Sequence, residues 1–330
     1  MSHSNISIFI PHSGCPNMCS FCDQHTISGS VKQPSAEDVR ELLKDACPKL
    51  SDPRNTEIAF FGGSFTAIDR NYMISLLDAA YPFIKEYSLH GIRISTRPDK
   101  IDGEVLDVLL RYNVTSIELG AQSMCDDVLM ANDRGHTSED VVKASKMIKD
   151  AGFELGLQMM TGLYLSTSER DKYTAEKIIS LSPATVRIYP TVILEGTKLA
   201  ELYKKGEYKT IPFEEEAELC ADIISMFEEA QIRIIRLGLH ASENVGNDAV
   251  GGYYHPAFGE ICRSILFRRE AEKRITEKGD YELYVSPKTV SIANGQKRSN
   301  IEYFAKKGIN IKVRQDNDIS DIKQVKIVKI

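Results

Sequence analysis

Residues 57–65 read EIAFFGGSF, a continuous apolar run that closes on two glycines. A strand with one wet face alternates polar and apolar positions. A run without alternation is covered on both faces, as in a parallel sheet. Outward from this stretch, such runs alternate with amphipathic segments. Toward the C-terminus the pattern predicts a helix over about 70–86, a strand at GIRISTRPD (91–99), a helix over 102–112 and a strand at VTSIELGAQS (114–123). A helix over 138–151 follows, stopped by Gly152, and then a strand at FELGLQMMTGL (153–163). Next come a helix over 168–181, a strand at ATVRIYPTVIL (184–194), a long helix over 213–230 and QIRIIRLGL (231–239). Toward the N-terminus, Ser35 caps a helix to Leu50 with Val39, Leu42, Leu43 and Ala46 on one face. The apolar run Ile6 to Pro11 precedes it.

Strand and helix thus alternate six times before residue 231. Parallel neighbours need crossover helices, so the pattern predicts an α/β fold with one parallel sheet. Periodicity leaves open whether that sheet curls toward a barrel or stays open and doubly wound. In both cases ligands gather at the carboxyl ends of the strands. The texture changes near residue 240, which divides the chain into 1–240 and 241–330. ASENVGNDAVGGYYHPAFGE (241–260) reads as a loop crossing toward the site, and a helix over 260–277 follows. YELYVSP, TVSIANG, INIKVRQ and QVKIVKI, with a helix near 298–307, suggest a small C-terminal α+β appendage with an antiparallel sheet.

The 330 residues suffice for one large domain and a small one. With 41 basic and 47 acidic residues the net charge is −6, which disfavours a dedicated nucleic-acid binder without excluding an RNA substrate. No basic n-region with an apolar stretch opens the chain, and no apolar run reaches 18 residues, so neither a secretory leader nor a membrane span is expected. The seven cysteines are an odd number, four of them scattered (Cys47, Cys125, Cys220, Cys262), as in a reduced, cytoplasmic protein.

The other three, Cys15, Cys19 and Cys22, lie in IFIPHSGCPNMCSFCDQHTISG (8–29). Thiolates this close repel unless a cation or cluster neutralises them. Structural zinc takes four N/S ligands, which here requires His12 or His25 as the fourth. Three cysteines with an open position suit an iron–sulfur cluster. Three unconnected thiols are the remaining reading.

Polar side chains interrupt the apolar strands: Ser95, Glu118, Gln122 and Gln158. A polar group in a buried strand must find a hydrogen-bond partner, and a buried carboxylate needs a cation or donors. By alternation Glu118, Gly120 and Gln122 share a face. For Gln158 the partner is a ligand or a core network. Arg134, in NDRGHTSED (132–140), offers a bidentate fork to a carboxylate or is a surface arginine.

The spacing C-x3-C-x2-C, with Phe21 before the last cysteine, resembles the signature of the radical S-adenosylmethionine (SAM) enzymes. FFGGSFTAID, STRPDKID, IELGAQSMCDDVL, NDRGHTSEDVVKASKMIKDAGF and VRIYPTVILEGTKLAELYKKGEY narrow it: residues 5–210 resemble the radical SAM portion of the Elongator catalytic subunit. The resemblance implies a partial (β/α)6 TIM-like barrel, and a 4Fe–4S cluster on Cys15, Cys19 and Cys22. It also implies SAM held by Phe21, Gly62, Gly63, Ser64, Ser95, Glu118, Gln122, Arg134 and Gln158. In the family the two glycines receive the amino group of SAM on their backbone oxygens. Ser64 and Ser95 stand where acids are usual, which makes those contacts depart from the pattern. Arg187 and Tyr189 match positions lining the active cavity. The implied chemistry is reductive cleavage of SAM to a 5′-deoxyadenosyl radical that takes a hydrogen atom from substrate, fed by a flavodoxin- or ferredoxin-type electron donor.

Residues 241–330 are too few and differently patterned for an acetyltransferase domain, and no basic extension precedes the first strand, so a stand-alone member is expected. Its substrate is a small molecule or a tRNA. The alternative of another class is an iron–sulfur binding or electron-transfer protein that leaves SAM intact. Tyr253, Tyr254 and His255 are candidates for substrate contact, or simply pin a turn. The lysines and arginine near 288–307 read as a solvated face before they read as an RNA patch.

Overall fold

Nine strands precede residue 255 among the described residues: β1 (Ser4–Ile10), β2 (Thr56–Gly62), β3 (Gly91–Thr96), β4 (Val114–Gln122), β5 (Glu154–Thr161), β6 (Thr185–Pro190), β7 (Val192–Leu194), β8 (Arg233–Leu237) and β9 (Ala249–Gly252). The computed structural model describes residues 4–11, 19–23, 32–239, 243–320 and 324–330, with the backbone alone for Glu243 and Asn244. Seven of the strands form one sheet in the order β1-β2-β3-β4-β5-β6-β8, every pair parallel. The order never reverses, so the sheet has no switch point and is not doubly wound. Its two edges meet the same space, since Ser7 and Phe9 of β1 and Arg236 of β8 line one cavity. The sheet is a curled half-barrel, as the family resemblance implied.

Each strand carries two chemistries. One face is apolar: Ile58 and Phe60, Ile92 and Ile94, Ile117 and Leu119, Leu155, Leu157 and Met159, and Val186 and Ile188 are all buried. Positions alternating with them hold the polar groups Arg93, Glu118, Gln158 and Arg187. Successive side chains on a strand point to opposite faces, so the core and the polar interior come from the same strands. The expected helices close over the apolar face with capped starts. Ser35 and Asp38 form a capping box on Ala36–Ala46, and Thr137 and Asp140 another on Ser138–Asp150. Asp102 caps Gly103–Arg111.

Several expectations change in detail. The run 184–194 is two strands, because Pro190 has no N–H for the ladder and Thr191 turns away, its N–H and Oγ1 both donating to the Thr161 carbonyl at 3.0 and 2.7 Å. β7 then pairs antiparallel with β9. The stretch read as a loop over 241–260 therefore contains a short helix, Glu243–Asp248, and β9. Short helices at Asp126–Ala131 and Lys198–Lys204 had no periodic signal long enough to find.

By compactness the chain forms two units: Met1–Thr210 with Met226–Tyr254, and Ile211–Ser225 with His255–Ile330. The second contains the helix Phe258–Arg274 and the strands β10 (Gly279–Val285), β11 (Ile309–Gln315) and β12 (Val325–Lys329). Its sheet is mixed, not antiparallel: β10 pairs parallel with β11 and antiparallel with β12. TVSIANG is not a strand; Val290–Asn294 is helical, and with the helix Ser299–Lys306 it returns the chain to the start of β11. That is the crossover a parallel pair demands. Leu283, Val285, Ala271, Ala293 and Phe304 pack in its core.

Candidate active site

The polar face of the half-barrel is layered. Across the sheet, Gly120, Gln158, Arg187 and Arg236 are successive register partners on β4, β5, β6 and β8. Ser95, Gln158, Arg187 and Tyr189, from three strands, line one cavity of about 460 Å³ together with Phe21, Gly62 and Gln122. All seven were expected at the site from sequence. Phe61, Arg236 and Cys22 line it as well. The Arg187 guanidinium lies over the Phe61 ring, 5.0 Å from its centroid.

Beneath this layer runs a buried ion network. Arg187 donates to Glu118 from Nε at 2.6 Å and from Nη2 at 3.0 Å. Gln158 Nε2 adds 2.9 Å to Glu118 Oε2 and 3.3 Å to Ser95 Oγ. Arg93 bridges three carboxylates, reaching Glu57 at 2.6 Å, Glu118 at 3.2 Å and Glu154 at 2.9 Å. Thr115 and Ser116 donate to the other oxygen of Glu57 at 2.7 and 2.8 Å. Burial is the largest influence on Glu118 and would raise its pKa. Arg187, Arg93 and Gln158 together outweigh it and hold the carboxyl below the usual range. Glu57 is lowered in the same way, burial opposed by Arg93 and the two hydroxyls. Burial pushes the Tyr189 phenol up, with Arg187 pulling the other way. Both oxygens of Glu118 are thus taken by protein donors, and it acts on the cavity through Gln158 and Arg187. The partner required by Gln158 is likewise a core network, although the side chain still faces the cavity.

Gln122 reaches the cavity by a route the alternation argument did not contain. β4 slips register between Gly120 and Gln122, and Gln122 takes a left-handed φ of +64°. A bulge re-aims a side chain. Gly120 makes the room: a Cβ there would lie 3.0 Å from Gln122 Nε2 and 3.3 Å from Arg134 Nη2. Gln122 Oε1 is buried without a hydrogen-bond partner among the described residues, and so is Arg134 Nε.

Cys19 and Cys22 sit in one turn, Cys22 N–H donating to the Cys19 carbonyl at 3.0 Å. Cys15 lies outside the described residues, as do His12, His25 and His240. Arg134 is buried and joins the turn to the sheet, with Nη1 3.1 Å from Cys19 Sγ and Nη2 donating to the Gly120 carbonyl at 2.7 Å. Asn132, which no sequence signal marked, clamps the same turn. Its Oδ1 accepts from Ser20 Oγ at 2.8 Å, its carbonyl from Ser20 N–H at 3.2 Å, and its amide donates to the Val128 and Tyr164 carbonyls. His136 Nε2 donates to the Ala121 carbonyl at 3.3 Å. Gly62 ends β2 at φ +107°, where a Cβ would meet the Ile10 carbonyl oxygen at 2.8 Å. Gly63 N–H donates to that same carbonyl at 2.7 Å, and buried Ser64 opens the 3-10 turn that follows.

The three candidates for substrate contact lie elsewhere. Tyr253 is buried with its ring against Gly162, where a Cβ would meet Cε2 at 2.7 Å. Tyr254 packs beside Val192, Leu194 and Val245. His255 belongs to the second unit, its Nδ1 accepting from Ala257 N–H at 3.0 Å. None of the three is among the residues lining the cavity.

Residues 9–176, just over half of the chain, match the radical SAM superfamily. The chain belongs to that superfamily. As a radical SAM protein it also matches the radical SAM C-terminal domain, over residues 183–268. It is 32% identical over 235 residues to a tRNA uridine(34) acetyltransferase of Methanocaldococcus jannaschii, covering 64% of this chain and 42% of that protein. It is 34% identical over 190 residues to human Elongator complex protein 3, covering 52% and 35%. The chain therefore spans less than half the length of either relative. Among solved structures, the archaeal Elp3 of Methanocaldococcus infernus with an N-terminal deletion shares the fold at a TM-score of 0.63 and 24% identity, over 81% of this chain and 63% of that one. Coproporphyrinogen III oxidase of Escherichia coli gives 0.50 and 17%, over 69% and 52%.

The chain is thus a radical SAM enzyme, homologous to the radical SAM domain of the Elongator subunit, as its motifs implied. Radical SAM enzymes as a family work with a 4Fe–4S cluster and SAM. The side chains here fit such a pair: two thiols in one turn, a strand end at Gly62 that admits no Cβ, and Gln122 lining the cavity with a buried Oε1 that has no hydrogen-bond partner among the described residues. Among the described residues alone, no three His, Cys, Asp or Glu side chains cluster as a metal site; the third expected cysteine lies outside them. No helix of the described residues is long and apolar enough to cross a membrane.

Proposed function

We propose that Cys15, Cys19 and Cys22 hold a 4Fe–4S cluster at the mouth of the cavity and that SAM binds beside it on Gly62, Ser95, Gln122 and Gln158. The observation that carries this reading is the convergence of those four residues on one cavity with Phe21 and Cys22. When bound, the pair supplies one-electron cleavage of a carbon–sulfur bond of SAM, leaving a 5′-deoxyadenosyl group that takes a hydrogen atom from substrate. The protein's part is positional. Gly62 ends β2 at the cavity, and its lack of a Cβ lets β2 close on the Ile10 carbonyl there. Arg134 holds the Cys19 sulfur against the sheet, its other terminal nitrogen donating to the Gly120 carbonyl. Glu118 fixes Gln158 and Arg187 so that both face the cavity in one orientation. Phe61, Met160 and Tyr189 wall the cavity against water, which would otherwise quench the chemistry.

The test is anaerobic reconstitution with iron and sulfide, addition of dithionite or a flavodoxin- or ferredoxin-type donor with SAM, and analysis for 5′-deoxyadenosine. Its formation, with a change in the spin-resonance spectrum of the reduced cluster on adding SAM, is the expected result. A reduced cluster that ignores SAM under every reductant would leave the binding or electron-transfer reading in its place. None of the six described cysteines is in a disulfide, which accords with a reducing, cytoplasmic setting. For the substrate, a tRNA is favoured by the likeness to a tRNA uridine(34) acetyltransferase at 32% identity, and a small molecule by the acidic balance of the chain.

A further inference from the structure

Arg187 and Arg236 are register partners on adjacent strands, and both line the cavity. Their electrostatic situations differ. The Arg187 charge is matched by the two-pronged contact with Glu118. Arg236 uses Nε to hold the carbonyl of Gly238, two residues on, at 3.0 Å, and no carboxylate among the described residues pairs with it. The side chain is half-buried and lines the cavity. A guanidinium so placed, with no carboxylate partner of its own, is a ready site for an anion. The surroundings there are apolar: Pro190, Val192, Leu194 and Leu239 line the same cavity. The groups read as SAM contacts lie on β2 to β5, whereas Arg236 stands two strands, roughly 10 Å, beyond Gln158.

The geometry points to Arg236 as the anchor for an anionic group, a carboxylate or a phosphate, carried on the apolar body of a small substrate. This rests on the reading of the cavity as the shared site of SAM and substrate. The cavity of about 460 Å³ must hold SAM as well, so the space left for substrate suits a compact molecule. A guanidinium offers two parallel N–H donors, which match either oxyanion and discriminate against a neutral amide.

The experiment uses the full chain, reconstituted anaerobically, with SAM present. Binding of benzoate, phenyl phosphate and the neutral benzamide is followed by ligand-observed NMR in the wild type, Arg236→Gln and Arg236→Lys. The wild type should bind one of the two anions about tenfold or more tightly than benzamide, the scale of a charge-assisted hydrogen-bond pair. Arg236→Gln should erase that preference while binding benzamide as before, which shows the cavity intact, and Arg236→Lys should restore part of it. Whichever anion binds better identifies the oxyanion. The proposal is overturned if the wild type does not prefer the anions, if Arg236→Gln keeps the preference, or if Arg236→Gln weakens SAM binding instead, which would make the guanidinium a cofactor contact. A wild type that prefers the anion yet forms no 5′-deoxyadenosine would defeat the SAM reading and leave this one standing.

Discussion

Glu118 grips Arg187 with both carboxylate oxygens, Nε to Oε2 at 2.6 Å and Nη2 to Oε1 at 3.0 Å, while Arg93 reaches the same carboxylate from below at 3.2 Å. The acid thus holds Arg187 alone, shares Arg93 with Glu57 and Glu154, and aligns the cavity wall above it. Replacing it by glutamine keeps the shape and removes the charge. Glu118→Gln should cost about 3–5 kcal/mol of stability, because a buried ion is left uncompensated. Urea unfolding of the full chain is the measurement; a loss below about 1 kcal/mol would mean that the network is hydrated and carries little.

Acid should weaken the fold in two stages. Burial, reinforced by Arg134, holds His136 down at about 4 from an ordinary 6.5. The unfolded chain therefore binds a proton there that the folded chain refuses, and stability present above pH 6.5 falls as the pH drops toward 4, by roughly 3 kcal/mol in all. Glu57 and Glu118, both held below their ordinary 4.5, contribute stability that is lost only as the pH falls through still lower values. Asp171 works the other way: burial pushes its carboxyl up to about 6, so the folded chain takes that proton first and gains stability as the pH falls from about 6 to 4. The His136 stage is therefore read as the difference in urea midpoint between wild type and His136→Gln, which should move against the wild type between pH 6.5 and 4; a difference that does not change with pH would assign that stage to another group.

Gly62→Ala should destabilise the chain by about 1–3 kcal/mol, the range for one strained backbone position. Its φ of +107° disfavours a side chain, and the new methyl would meet the Ile10 carbonyl oxygen at 2.8 Å. The thermal midpoint reads the strain and equilibrium dialysis reads SAM. Loss of SAM binding at a temperature where the variant is still folded is expected. Full retention would remove Gly62 from the cofactor cradle.

The cysteines should separate into two chemical classes. Burial pushes the Cys47 thiol up to about 11, so at pH 8 it is a poor nucleophile, whereas Cys22 is half-buried at the cavity. In iron-free protein, iodoacetamide should modify Cys22 well before Cys47, as peptide mass mapping would show. Cys19→Ala should lose most of the reconstituted iron, and Cys47→Ala should keep it. Iron that depends on Cys47 would redirect the ligand assignment.

Much of the site was legible in the residues. A glutamine or a serine within an aliphatic strand is conspicuous because burying it unpaired is unfavourable, and Ser95, Gln122 and Gln158 do meet at one cavity. Arg93 carries the same signal in GIRISTRPD, but one charge in a strand does not say which acids lie beside it. Asn132 gave no signal, because an asparagine in a loop is ordinary until the Ser20 it holds is known. Tyr253 stood out by composition only, and its ring fills the space over Gly162.

The amino-acid sequence by itself determined the parallel α/β plan and the cluster of thiols. Runs apolar on both faces, amphipathic helices between them and the C-x3-C-x2-C spacing are local facts, set by the side-chain periods of strand and helix. Only the tertiary structure decided which charges face one another. Strand register brings Gln158, Arg187 and Arg236 into one row across segments dozens of residues apart, and the bulge after Gly120 turns Gln122 into the same space. Pairing at that range follows from backbone hydrogen bonds between strands, which leave no trace in the order of residues along either one.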